Sequence, residues 1–204
     1  MQTFIRIINI YLAVFLCFMG QSNEIKAQND WRGYAVYRGM TPSDYQYHAG
    51  LMRTNTRSDT QPIIHIAGSG YVVQKDTWGS FIFGENYKGI CKPNGCSMNT
   101  ANKYNFVATA ETLYGLPYTF VNQIYYDLSS SNYLVYPSMI SSIRCDGVVE
   151  YAYEWYAYRV GGPDNYWDIT INAAENLNAH AGNNITPKKQ CTQLLTYVSS
   201  YYPD

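Results

Sequence analysis

The chain is predicted to fold as an α+β domain in which an antiparallel sheet packs against helices. Three observations predict it. Short runs rich in Tyr, Val and Ile, punctuated by Gly, Asn, Asp, Ser and Pro, fill the N-terminal third. Helical periodicity starts only near Ala101 and then recurs. No Pro- or Ser-rich linker and no internal repeat divides the chain, so the strands and the later helices belong to one domain.

Taken in order, residues 33–38, 45–53 and 62–67 read as the first three strands, and 71–73 and 80–83 as two more. Residues 101–114 read as a helix with Gly115 and Pro117 as its stop signals. A Tyr- and Ser-rich connection leads to a second helix that starts at Cys145 and stops at Gly161-Gly162-Pro163. The chain is then polar and irregular until Thr186, a good N-cap, and Pro187, a good first helical residue, open a C-terminal helix bearing Cys191, Leu194, Leu195 and Val198.

Ahead of these elements, Arg6 precedes an apolar stretch over 7–19 broken only by Asn9, and Ala27 offers a cleavage point before Gln28. Residues 1–27 are therefore expected to be a signal peptide, and 28–204 the single mature domain. The apolar run is short for a membrane span. Cys17 follows bulky Leu16, where a lipoprotein signal needs a small residue, so a secreted or periplasmic protein is expected rather than a lipid-anchored one. The formal charge of −1 gives no basic field for nucleic acid. The 22 tyrosines suit either a sugar- or peptide-binding surface or an ordinary exported one.

Four cysteines follow the expected cleavage point, and an exported chain permits disulfides. Cys91 and Cys96 flank the turn sequence Lys-Pro-Asn-Gly and are expected to pair with each other. Two cysteines with no histidine nearby do not make a zinc site, and no metal or organic cofactor is expected. Cys191 reads as a buried thiol or as a partner for Cys145.

Cys145 carries the most chemistry. Val148, Val149, Ala152 and Trp155 follow it on one helical face, which puts the thiol in the first turn of an inward-facing stripe. Unpaired N–H groups and the helix dipole favour thiolate there, and thiolate is the nucleophilic form. Such a nucleophile needs a base, and the chain has only three histidines. His48 shares a strand face with Gly50, and His65 sits in the apolar strand Pro62-Ile63-Ile64-His65-Ile66-Ala67. If those strands pair, both rings stand on one face as base and orienter; alone, His65 would read as a core histidine. His180, in a polar segment, is the second choice for the base.

These segments resemble the NlpC-type (NlpC/P-sixty) papain-like superfamily of cysteine peptidases and amidases. Arg144-Cys145-Asp146-Gly147-Val148-Val149-Glu150-Tyr151 is similar to its Asp-Cys-Ser-Gly nucleophile signature. Gly115-Leu116-Pro117-Tyr118 is similar to its upstream Gly-x-Pro-Tyr, His48-Ala49-Gly50-Leu51 to its base strand, and Ile64-His65-Ile66-Ala67 to the strand that follows. Both histidines precede the cysteine, which resembles the circularly permuted YiiX/YaeF-like branch. The resemblance implies a permuted papain-like fold and a Cys145-His48-His65 triad.

Two residues depart from the family pattern, Arg144 for Asp and Asp146 for Ser. A cation at Arg144 suits a substrate carboxylate or phosphate, or is a solvated helix-start residue. The Cys145 backbone N–H, and either a substrate-facing or a core Tyr118 hydroxyl, complete the oxyanion reading. The implied activity is hydrolysis of an amide in cell-wall peptides through a thioester, with lipid amides or acyl transfer on the same triad as the alternative. A reading of another class is a Tyr-rich binding module with Cys145 tied to Cys191.

Overall fold

The structure, a computed structural model, describes residues 29–40, 47–127, 134–162, 178–182 and 184–204. The expected signal peptide and the polar stretch 163–177 lie outside the described residues. Six strands form one antiparallel sheet: β1 (Ala35–Gly39), β2 (Tyr47–Met52), β3 (Ile63–His65), β4 (Gln74–Asp76), β5 (Tyr87–Lys92) and β8 (Thr196–Ser199). Their spatial order is β4-β3-β2-β1-β5-β8. Helices lie against this sheet, so the coarse class is α+β.

The two faces of the sheet bury different partners, because side chains alternate along each strand. Ala35, Tyr37, Ala49, Leu51 and Ile64 enter the larger core, under α2 (Thr100–Glu111) and α3 (Cys145–Glu154). Val36, Met52, Ile63 and Ile90 face the other way, into a smaller core closed by Phe81 of α1 (Trp78–Ile82). Both faces are covered, which is why the central strands read as apolar runs rather than as polar-apolar alternation. A short second sheet pairs β6 (Ile124–Tyr126) with β7 (Ile140–Ile143). β7 ends one residue before Arg144, the N-cap of α3, and so delivers the start of that helix to the main sheet.

Several local expectations are corrected. Residues 71–73 hold only an isolated bridge, Val72 to Pro117, and the strand lies at β4 instead. Residues 80–83 are not a strand. The Thr77 hydroxyl accepts the Ser80 N–H, and this cap starts α1 despite its aromatic, β-branched composition. α3 stops at Glu154 rather than near Gly161, because the Val160 and Gly161 N–H groups turn back onto the Glu154 carboxylate. Thr186 does cap a helix, α4 (Pro187–Lys189), which runs on as a π-helical turn, Gln190–Leu194. Leu195 is then extended, and Val198 lies in edge strand β8 rather than in a helix.

Gly50 is a close-approach position. A Cβ there would meet Ile63 Cγ2 and Phe81 Cε2, each at 2.9 Å. Gly50→Ala is therefore expected to cost about 1–3 kcal/mol through overpacking between the sheet and α1. Urea unfolding measures this directly, and an unchanged midpoint would mean that α1 lifts away freely.

Candidate active site

The start of α3 is held by a polar cluster. Arg144 makes five hydrogen bonds: Nε to Asp146 Oδ1 at 2.6 Å, Nη2 to Asp146 Oδ2 at 2.8 Å and to the Ile185 carbonyl at 2.6 Å, and Nη1 to the carbonyls of Gly182 at 3.0 Å and Phe120 at 3.4 Å. A guanidinium has five N–H donors, and here each has an acceptor inside the protein. Arg144 borders the cleft, yet its charge is matched by Asp146 and not offered to a ligand. The expected substrate-binding role of Arg144 and Asp146 is corrected on this geometry to one of fixing the helix start.

The same buried face of α3 continues with Glu150 and Glu154, one and two turns on. Glu150 accepts from Gln123 Nε2 at 2.7 Å and Gln190 Nε2 at 3.0 Å, and it contacts His180 Nε2 at 2.9 Å. His180, the second choice for a base, is thus buried against Glu150. Burial, then the neighbouring Glu150, push the Glu154 carboxyl well above its ordinary range. Among the described residues Glu150, Glu154 and His180 could hold a metal, their ligand atoms lying within 4.8 Å of one another. Those atoms already bond one another or backbone N–H groups, which makes the cluster an internal network.

The opposite face of the main sheet carries a second polar row. Arg38 pairs with His48 across β1 and β2. Leu51 pairs with Ile64, so His65 falls diagonal to His48, and Gln74 pairs with His65, so Asp76 falls diagonal to His65. His48 Nε2 lies 2.8 Å from His65 Nδ1, and His65 Nε2 lies 3.4 Å from Asp76 Oδ2. Phe81 packs on both rings, with centroids 5.6 and 5.5 Å away.

Proton positions follow from the end of this chain. Burial raises the Asp76 carboxyl, but the Thr77 N–H, the Ser80 hydroxyl and His65 outweigh it and hold it below its ordinary value. An ionised Asp76 accepts the proton on His65 Nε2. His65 Nδ1 is then an acceptor and takes the N–H of His48 Nε2, so His48 Nδ1 keeps a free lone pair. Burial, then His65 and Arg38, lower the His48 pKa well below the ordinary imidazole value. Burial also lowers His65, against an opposing pull from Asp76. Both rings are neutral at pH 7.

Cys145, 5% exposed, lies in the first turn of α3 and belongs to the larger core, while the imidazoles belong to the Phe81 side. Cys145 and His48 line one cleft at the end of the sheet, with Tyr118 beside them. No hydrogen bond joins the thiol to an imidazole among the described residues. The Ala49 and Asp146 backbone N–H groups point at the sulfur instead. Resting thiol-imidazole contacts are commonly loose and tighten when substrate binds.

The expected resting thiolate is corrected too. Burial first, then the Asp146 carboxylate, push Cys145 up to about 12, outweighing the two N–H groups and Arg144. Helix-start polarity is outweighed by the absence of water. Burial, then Cys145, likewise push Tyr118 up to about 12, so its hydroxyl keeps its proton and can donate.

Cys91, Cys96, Cys145 and Cys191 are all free thiols. The expected Cys91–Cys96 bridge is absent. Cys91 Sγ instead lies 3.7 Å from Cys191 Sγ, because the π-helical turn Gln190–Leu194 packs on β5, while Cys96 Sγ turns to the Ser97 carbonyl and Asn102. Cys145 is thus not tied to Cys191.

Reasoning from sequence missed Asp76 and Arg38. The available signal was a polar residue in a strand neighbouring each histidine strand, readable only once the register was known. No protein-family model matches the chain, and neither a curated protein nor a solved structure does.

Two outcomes are expected. Alkylation of Cys145 by iodoacetamide, followed by peptide mass spectrometry, should rise about tenfold per pH unit through pH 9. A plateau near neutrality would mean a preformed thiolate. Second, His48 has a folded pKa below its unfolded value, so it stays neutral in the fold and takes up a proton in the unfolded chain. Its contribution to stability is complete above pH 6.5 and is lost as pH falls from 6.5 towards the folded value. Urea midpoints should drop across that range, and His48→Gln should flatten the drop.

Proposed function

We propose that this chain is an exported thiol hydrolase of the circularly permuted papain-like kind, with Cys145 as nucleophile and His48 as base. The observation that carries the reading is the His48-His65-Asp76 chain, two buried imidazoles ending on a half-buried carboxylate, whose first ring shares a cleft with Cys145 and whose donor order leaves His48 Nδ1 as the proton acceptor. A hydrophobic core has no need of two linked imidazoles in adjacent strands, and burying them carries a free-energy cost. The resemblance of four sequence segments to NlpC-type enzymes points the same way.

The chemistry follows from a neutral pair. As Cys145 Sγ attacks a substrate carbonyl carbon, its proton passes to His48 Nδ1, and the carbonyl π electrons move to oxygen. The developing imidazolium is steadied by His65 Nδ1, and His65 by Asp76. The oxyanion lies near the helix start, where the Cys145 backbone N–H and the protonated Tyr118 hydroxyl can donate. His48 returns the proton to the leaving amine, leaving a thioester on Sγ. Water attacks the thioester carbon, gives one proton to His48 and releases the acid and the thiol. The favoured substrate is an amide in cell-wall peptides.

The test is digestion of purified muropeptides by wild type, Cys145→Ala, His48→Ala and Asp76→Asn, read by mass spectrometry. A mass loss that requires Cys145 is expected. His48→Ala should lower the rate about 10²- to 10⁴-fold, as for a lost general base, and Asp76→Asn less. If wild type cleaves no muropeptide, the cell-wall assignment is wrong and amide-linked lipids are the next substrates to assay. If Cys145→Ala retains the activity, the nucleophile is wrong.

A further inference from the structure

Arg38 stands in contrast to Arg144. It is 8% exposed, and Nη1 donates to the Gly39 carbonyl at 3.0 Å. Its Nε is buried without a hydrogen-bond partner among the described residues. A buried, unpartnered guanidinium N–H is costly, and a fold that keeps one has a reason beyond packing. Arg38 lines a groove of about 490 Å³, which is within the range of small-ligand sites. Met40 and Ala67 border both this groove and the Cys145 cleft, so the two adjoin at the end of the sheet. Phe83, 78% exposed, and Tyr71, 55% exposed, give the groove apolar walls.

The charges in the groove select among anions. Asp76 and Glu85 also line it. Asp76 is held by the Thr77 N–H, His65 and Gln74. Glu85 attracts Arg38 and partly offsets its charge. Two carboxylates disfavour a dianionic phosphate more strongly than a monoanion, and the planar guanidinium suits a planar carboxylate.

We propose that Arg38 anchors a free carboxylate of the substrate in this groove, while the scissile amide lies at Cys145. This makes the substrate an acidic or C-terminally free peptide, and it rests on the hydrolase reading above only for the position of the scissile bond. The anion-binding role that the sequence suggested for Arg144 then falls to Arg38, on the face of the histidine row.

The experiment separates binding from turnover. Random tetrapeptides, made once as free acids and once as C-terminal carboxamides, are passed over immobilised Cys145→Ala protein, and the retained peptides are quantified by mass spectrometry. Free acids should be retained at least about tenfold over carboxamides, and Arg38→Gln should abolish the preference. Glu85→Gln, at the groove wall, should strengthen acid retention and leave carboxamides unchanged, which keeps the test decisive if Arg38→Gln does not fold. Equal retention of both sets, retention of neither, or a preference that survives in folded Arg38→Gln overturns the proposal. An Arg38-dependent preference in a protein that hydrolyses nothing would sink the hydrolase reading and leave the anchor standing.

Discussion

The start of α3 is fixed by a buried guanidinium-carboxylate pair, Arg144 with Asp146, and the placing of the thiol depends on it. Arg144 reaches back to the loop before β6 and forward to the segment before α4, through the Phe120, Gly182 and Ile185 carbonyls. Asp146 receives two of its N–H groups and one from Gln123. Two stretches far apart in sequence therefore converge on the two residues that flank Cys145. A buried pair of this kind contributes modestly to net stability, because desolvation offsets the attraction, but losing one partner strands the other charge. Its effect here is positional, setting the first turn of α3 against the β2 backbone at Ala49.

The sheet supplies the other half of the arrangement. Side-chain alternation and antiparallel register put Arg38, His48, His65 and Asp76 on one face of four neighbouring strands. The thiol comes from the opposite side, at the strand end. Neither half is ionised in the manner of a thiolate-imidazolium pair: burial keeps the thiol protonated and the rings neutral. The resting protein therefore holds a base with a free lone pair near an acid that is hard to ionise, and proton transfer has to accompany attack. Such a site is expected to be quiet towards small electrophiles.

Periodicity and turn chemistry are local, and they made the histidine strands, the helix at 100–111 and the start of α3 legible in the sequence. His48 and His65 stood out because a polar ring in an apolar strand asks for a partner. Asp76 did not, since residues 74–77 carried no expected element and its place beside His65 follows only from the pairing of β4 with β3. Arg38 lay in an expected strand, but its place beside His48 is visible only from the pairing of β1 with β2. The role of Arg144 was misjudged because its acceptors, Gly182 and Ile185, lie some forty residues away. Cys91 likewise faces a thiol 100 residues on, at Cys191, where proximity in sequence favoured Cys96. Long-range hydrogen bonds of this kind leave no periodic trace.

The site depends most on the direction of the hydrogen bonds from His48 through His65 to Asp76. Nitrogen-15 NMR of histidine-labelled protein at pH 7 reads ring tautomers directly. His48 and His65 are both expected to be neutral with the proton on Nε2, and Asp76→Asn to perturb His65 more than His48. Finding His48 protonated on Nδ1, or as imidazolium, would contradict that direction, because the nitrogen assigned to receive the thiol proton would already be occupied.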